Sequence, residues 1–403
     1  DYYGSIFWDC EIFVFPLFAS VLPEIARNLL GYRLATLDGA RRKAQRFGYR
    51  GAFFAWQSQE SGDDQCDLFV FDNPFTGEKL RAYFCDEQIH ISGDIAHAAR
   101  QYVAASGDKA FWVQGGAELL AEIARFYVSR ATEGSDGKLH LTSVLGPDEY
   151  HERVDDNAYT NWLARASAEW ALEALAEMES MDSLAHAEMT ARIGLDEQEV
   201  RVIREFGNRL FVPEPDPRTM LIEQFAGYHG LKHEPVAETR ARLAHPDLHP
   251  GGELGPYQET QNIKQADVVM LLYLFRHAFS PEVKRANWRH YEPRTAHDSS
   301  LSPMAYSLVA ADIGLMDWAH KYFLYTSHID LESYGPHWNL GVHAASLGGA
   351  WLSAVHGMAQ LSLEPHGLKF RQWPRLPKEW SRLAFRVEWH GTAVVVDVRQ
   401  HEL

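Results

Sequence analysis

Apolar positions recur at helical spacing over most of the chain. The pattern runs from Ile12 to Leu30 with a restart at Pro23. It resumes from Leu34 to Phe47, where Arg41, Arg42, Lys43 and Arg46 place cations toward a helix C-terminus, as the dipole favours. It returns over Ile91–Ala105, after a candidate Ser92 cap and before Gly107, and over Phe111–Ala131, Tyr159–Met178 and Asp196–Phe211. Ile263–Ala278, Pro303–Gly314, Asp317–Thr326 and Gly341–Leu361 bring the series to about ten predicted helices. Near Leu363 the period drops to two. Leu368–Arg371, Leu383–Trp389 and Val394–Val398 read as strands, the last two joined by a turn at His390-Gly391-Thr392. Residues 213–256, rich in His and Pro, read as a surface excursion. No βαβ alternation occurs, and neither GxGxxG nor GxxxxGK[ST] is present. Many helices with no repeat of fixed period favour a closed toroid of helix pairs over a solenoid. The expected division is a helical domain at 1–362 and the start of a β-sheet domain at 363–403.

Composition narrows the class. The chain has 403 residues, 46% hydrophobic and 23% charged, which excludes a disordered or collagen-like polymer. A formal charge of −17 opposes binding to nucleic-acid backbones and to anionic membrane surfaces. No apolar run reaches the roughly 18 residues of a membrane span, and Val268–Phe275 reads as a buried helix segment. Cys10, Cys66 and Cys85 are too few and scattered for a disulfide framework or a zinc site, which points to the cytoplasm. The chain opens without Met on the aromatic run Tyr2-Tyr3-Gly4-Ser5-Ile6-Phe7-Trp8, so a preceding N-terminal part is expected.

The candidate chemistry lies in loops. Gly146-Pro147-Asp148-Glu149-Tyr150-His151-Glu152, running on to Asn157 and Asn161, mixes acids, amides and aromatics just before a helix. Sugars need that mixture, although helix capping would also draw Asp and Asn there. Glu292, then His297, Ser299, Ser300 and Ser302, precede another predicted helix, as an anion site or as caps. Lys264 and Gln265 sit at a predicted helix start, and His343 lies among the small residues of Gly341–Gly349. Trp8, Asp9 and Trp56 are candidate sugar contacts, with Glu60 and His90–Asp94 as polar lining. With 12 tryptophans in the chain, any one of them can equally be core.

Taken in order, Phe7–Glu11, Pro23–Leu30, His90–Ala96, Gly146–Tyr150 with Asn157–Asn161, Lys264–Val269, His297–Pro303 and Gly341–Gly349 resemble glycoside hydrolase family 65. That family holds inverting α-glucoside phosphorylases and hydrolytic relatives. The resemblance covers nearly the whole chain. It implies an (α/α)6 barrel lacking its first helix, a missing N-terminal β-sandwich and a small C-terminal β-sheet. It also implies Glu149 as general acid, and Trp8, Asp9, Lys264 and Gln265 around the glucose. His297, Ser299, Ser300 and His343 would lie in loops that hold phosphate, and Glu292 near the second sugar.

An inverting enzyme needs a proton donor on one face of the bond and a nucleophile on the other. Burial against Tyr150 and neighbouring acids is expected to help Glu149 keep its proton. Phosphate needs no base, only donors; water needs a carboxylate, and Glu292 is the candidate. The Ser-Ser-Leu-Ser element favours phosphate as co-substrate. The run Gly335-Pro336-His337-Trp338-Asn339-Leu340 departs from the Gly-Asn-rich stretch expected of phosphorylases. The insert Asp67–Cys85 borders the expected acceptor pocket and leaves the disaccharide unassigned. No metal or organic cofactor is expected. A homodimer remains open, as do a hydrolase, a non-catalytic carbohydrate-binding fragment and a solenoid interaction protein.

Overall fold

The computed structural model describes residues 4–332, 341–364, 366–371 and 374–400. Its helices are α1 (Phe15–Val21), α2 (Pro23–Ala35), α3 (Leu37–Arg46), α4 (His90–Ser106), α5 (Ala117–Arg130), α6 (Ala158–Met181) and α7 (Ser183–Ile193). After these come α8 (Glu197–Arg209), α9 (Val236–Ala241), α10 (Val268–Leu274), α11 (Pro281–Tyr291), α12 (Ser302–Asp312), α13 (Met316–His328) and α14 (Ala344–Leu352).

Six of them close a ring in the order α1, α4, α6, α10, α12, α14 and back to α1. Around it, α2 packs on α1, α5 on α4 and α6, α7 and α8 on α6, α11 on α10 and α12, and α13 on α12 and α14. This is the (α/α)6 arrangement, and one continuous apolar core runs from Phe7 to Met358. Small residues set the closest approaches. A Cβ on Gly348 of α14 would stand 2.2 Å from the Phe13 carbonyl, and one on Gly349 2.9 Å from Met304 Cβ. The small residues within α14 therefore let it pack closely on the segment leading into α1 and on α12, closing the ring.

Each inner helix is preceded by a segment that touches its neighbour's. The Trp8 and His90 rings meet edge to face at 5.0 Å. Gln88 Nε2 donates to the Gly146 carbonyl at 3.4 Å. Lys264 N donates to Asp148 Oδ1 at 2.8 Å. Ala266 N donates to Ser302 Oγ at 3.1 Å, and Ser346 Oγ to the Ser300 carbonyl at 2.9 Å. Every inner helix thus presents its N-terminal approach to one end of the barrel.

The four C-terminal strands, Leu361–Glu364, Gly367–Phe370, Arg382–Trp389 and Thr392–Arg399, form two antiparallel hairpins. His390 and Gly391 supply the positive φ, 47° and 72°, that a tight two-residue turn requires.

Several sequence expectations need correction. The helix expected from Ile263 begins only at Val268, so Lys264 and Gln265 lie in a loop. Ile263 is buried because that loop pairs with Thr295, not because it is helical. The helix starting at Ser302 has no side-chain cap, and neither does α4. Ser92 Oγ instead accepts from Phe54 N. The 213–256 excursion is partly internal: Gln224 and Tyr228 are buried, and the Gln224 carbonyl accepts from Ala158 N at 2.8 Å.

Candidate active site

At this end of the barrel Glu149 is 8% exposed and Asp9 7%. Lys264 Nζ makes an ion pair with Glu149 Oε2. Burial pushes the Asp9 carboxyl well above the usual range, and the negative charges of Glu149 and Glu11 push it further. Asp9 Oδ1 is buried with no hydrogen-bond partner, an acceptor or donor position open to a hydroxyl. Glu11 is itself clamped by Arg33 at 2.7 and 2.9 Å, with both side chains buried. Gln265 is buried, with its amide nitrogen donated to the Pro147 carbonyl.

The loop bearing Glu149 is held from below. Asp148 Oδ1 accepts from Lys264 N, and Asp148 Oδ2 from His151 Nδ1 at 2.6 Å and Gln224 Nε2 at 2.9 Å. Asn157 caps α6 and donates to Asp267 Oδ2 at 3.0 Å. Burial, aided by Asp148, raises the Asp267 carboxyl to about 8. The capping reading is therefore right for Asn157, while Glu149 is buried without being a cap.

A second cluster adjoins through backbone pairing. Ala296 N donates to the Ile263 carbonyl at 2.8 Å, and Asp298 N to the Lys264 carbonyl at 3.2 Å. Tyr150 Oη donates to Asp298 Oδ2 at 2.9 Å, and Arg240 holds both Asp298 oxygens. Glu292 accepts from Tyr322 Oη at 2.8 Å, and that hydroxyl lies 3.2 Å from His297 Nε2. Burial lowers His297 to about 4, its Nδ1 has no hydrogen-bond partner, and its φ of 54° is in the left-handed region. A non-glycine residue held there is strained, a condition common at functional sites. Ser299 and Ser300 lie just before α12, half-buried. His343, just before α14, is tied to Asp330: its Nδ1 is 2.6 Å from Oδ1, and its N–H donates to Oδ2.

The tryptophans differ from each other. Trp8 is 2% exposed and edge-packed against His90 and Phe13, so little of its ring is open. Trp56 is half-buried against Phe7 and Phe84. The insert carries a hairpin of Phe69–Asp72 and Lys79–Arg81. Its Phe71 stacks on His249 at 4.3 Å, and His249 meets Tyr150 edge to face at 5.7 Å. The hairpin thus stands beside the Glu149 loop.

Sequence reasoning gathered Trp8, Asp9, Glu149, Lys264 and Gln265 at one place. It did not find Asp330, Tyr322, His249 or Asp148 with His151. Those are tertiary partners with no local spacing signal, apart from the Asp148–His151 pair three residues apart. The run 335–340 lies outside the described residues. Among the described residues no group of three His, Cys, Asp or Glu could hold a metal ion. No helix there is long and apolar enough to cross a membrane.

A closed (α/α)6 barrel that gathers buried carboxyls, amides and aromatics at its inner-helix N-termini has the architecture of a helical-barrel catalytic domain. The chain belongs to glycosyl hydrolase family 65: residues 1–352 match its central catalytic domain and residues 363–403 its C-terminal domain. It is 38% identical to nigerose phosphorylase of Lachnoclostridium phytofermentans and 40% identical to 1,2-alpha-glucosylglycerol phosphorylase of Bacillus selenitireducens. Both alignments cover 100% of this chain and 54% and 53% of those proteins. Kojibiose phosphorylase of Caldanaerobacter subterraneus subsp. tengcongensis is 37% identical over 100% of this chain and 52% of its own length. The chain spans about half the length of the curated relatives it matches. A solved structure from the human microbiome, provisionally assigned as a kojibiose phosphorylase, superposes with a TM-score of 0.87. It is 27% identical, over 99% of this chain and 56% of that one.

Proposed function

We propose that this site performs inverting phosphorolysis of an α-linked glucosyl disaccharide or glucoside, releasing β-glucose 1-phosphate. The observation that carries the reading is the direct joining of the Glu149 loop to the donor-rich loop before α12, through Tyr150, Asp298 and Lys264. The names of the relatives support it. Glu149 gives its proton to the glycosidic oxygen as the C1–O bond breaks. A phosphate oxygen attacks C1 from the opposite face, and the departing sugar leaves as an alcohol. Asp9, Lys264 and Gln265 hold the glucose hydroxyls, with Trp56 as an apolar wall and Trp8, edge-packed on His90 and Phe13, backing the site. Lys264 would then exchange its contact with Glu149 for the substrate.

Phosphate would be received by Ser299, Ser300, His297 and His343, ahead of α12 and α14, where backbone N–H groups and the helix dipole favour an anion. Asp330 takes the Nδ1 side of His343 and leaves Nε2 for the ligand. The insert hairpin, stacked on His249, would border the acceptor. On this reading residues 1–362 are the catalytic domain, 363–403 open the C-terminal domain, and the protein works in the cytoplasm, alone or as a homodimer.

Hydrolysis is the second reading, because Glu292 is a carboxylate in the same cluster. The test is turnover of α-linked glucosides by the full-length protein, with and without phosphate, and the anomer of the product read by NMR. Phosphorolysis predicts β-glucose 1-phosphate, and loss of phosphate dependence when Ser299 and Ser300 become Ala. Turnover without phosphate that disappears in Glu292→Gln makes the protein a hydrolase. Glycan binding with no turnover makes it a binding module.

A further inference from the structure

Two ties join the loop of the candidate proton donor to the loop that would receive phosphate, and Asp298 takes part in both. Tyr150 follows Glu149 in the chain, and Asp298 precedes Ser299 and Ser300. Tyr150 Oη donates to Asp298 Oδ2 at 2.9 Å. The second tie runs through Lys264. Its Nζ pairs with Glu149, and its carbonyl accepts from Asp298 N at 3.2 Å. Two ties at different points fix the rotation of one loop against the other as well as their separation.

The surroundings hold both ends of the side-chain tie. Tyr150 is 3% exposed, the Tyr257 ring lies 4.6 Å from its own, and a Cβ on Gly251 would stand 2.4 Å from Tyr150 Cα. Burial and the Asp298 charge keep the Tyr150 hydroxyl protonated, so it donates at neutral pH. On the other side Arg240, from α9, brings Nη2 to 2.6 and 2.8 Å from the two Asp298 oxygens. Asp298 follows His297, whose φ of 54° persists only where its neighbours over-determine it. Ser346 Oγ donates to the Ser300 carbonyl at 2.9 Å and fixes the far end of the loop.

Folding stability does not account for the Asp298 carboxylate. Its side chain is 29% exposed and that of Arg240 54%, and ion pairs so open contribute little to stability. Its bond to a buried hydroxyl sets where Ser299 and Ser300 stand relative to Glu149.

We infer that Asp298 is a positioning residue, which through Tyr150 aligns the backbone of Ser299 and Ser300 with the Glu149 carboxyl. The inference rests on the phosphorolysis proposed above and adds that phosphate capture and proton donation share one support.

The test is steady-state kinetics of the full-length protein with inorganic phosphate as the varied probe, on the α-glucoside that the parent cleaves fastest with phosphate. Asp298→Ala and Tyr150→Phe each remove a hydrogen bond to a charged group. Each should raise the KM for phosphate and lower kcat by about tenfold, while the KM for the glucoside stays within about threefold. Both substitutions delete the same bond, so the double variant should be no worse than the poorer single one. Asp298→Asn keeps an acceptor for Tyr150 and should return to within about threefold of the parent. Tyr150→Phe keeps its ring packing and decides the matter if Asp298→Ala does not fold by circular dichroism. An unchanged phosphate KM in Tyr150→Phe, a matched rise in both KM values, or additive losses in the double variant overturns the inference and leaves phosphorolysis standing. A parent with no phosphate-dependent turnover overturns the phosphorolysis reading, and this inference falls with it.

Discussion

Glu149 and Asp9 lie buried close to one another with Lys264 paired to Glu149, and under the proposed function proton transfer to the leaving oxygen falls to Glu149 alone. Glu149→Gln is nearly isosteric but cannot protonate a leaving oxygen. It should fold normally and lose on the order of 10²–10⁴-fold in kcat, measured on the natural glucoside. A few-fold loss would move the acid elsewhere. Asp267 makes a different prediction, about stability. Its carboxyl faces Asp148, which is paired with His151, and is raised to about 8 in the fold, against about 3.9 in an unfolded chain. Between those values the unfolded chain binds fewer protons than the folded one, so this residue's contribution to stability falls as pH rises across the window. Asp267→Asn keeps an acceptor for Asn157 and cannot ionise. Urea unfolding should show the variant gaining on the parent at pH 8, with the gain shrinking toward pH 4.

Helices were legible where a buried stripe ran their whole length. α6 is the clearest case, with Tyr159, Leu163 and Ala166 buried in succession. α7 was missed because only Met189 is buried on it, which leaves no stripe to read. α11 carries a Ser280 cap and Pro281 at its first position, a local signal present in the sequence and not used. α10 was drawn too long because Ile263 and Ala266 are buried by loop pairing, which mimics helical periodicity. At the candidate site, motif residues were legible and their tertiary partners, such as Asp330 for His343, were not. Gly348 is a place of close approach, and it yields a prediction at this scale. The added methyl of Gly348→Ala meets the rigid Phe13 carbonyl, so α14 and α1 must separate. A loss of about 1–3 kcal/mol in denaturant unfolding is expected, together with weaker sugar binding, because Trp8 and Asp9 begin the segment that is displaced.

At the scale of the molecule, the C-terminal strands are fastened to the barrel. Val387 is fully buried in a cluster with Val355 and Leu361, and His390 N donates to the Ala105 carbonyl at 3.0 Å. Tryptophan fluorescence and far-ultraviolet circular dichroism should therefore lose signal in one shared transition on heating. An early separate transition in the strand region would show an independent unit. The closed ring was inferred from the absence of a repeat, but its membership could not be: neighbours such as α1 and α14 come from opposite ends of the chain. That seam has a consequence during synthesis. A chain leaving the ribosome exposes the inner face of α1 long before α14, the helix that covers it, emerges. Until Gly348 reaches Phe13 the barrel is an open arc with an apolar edge, and this long-range closure is the slow step of its folding.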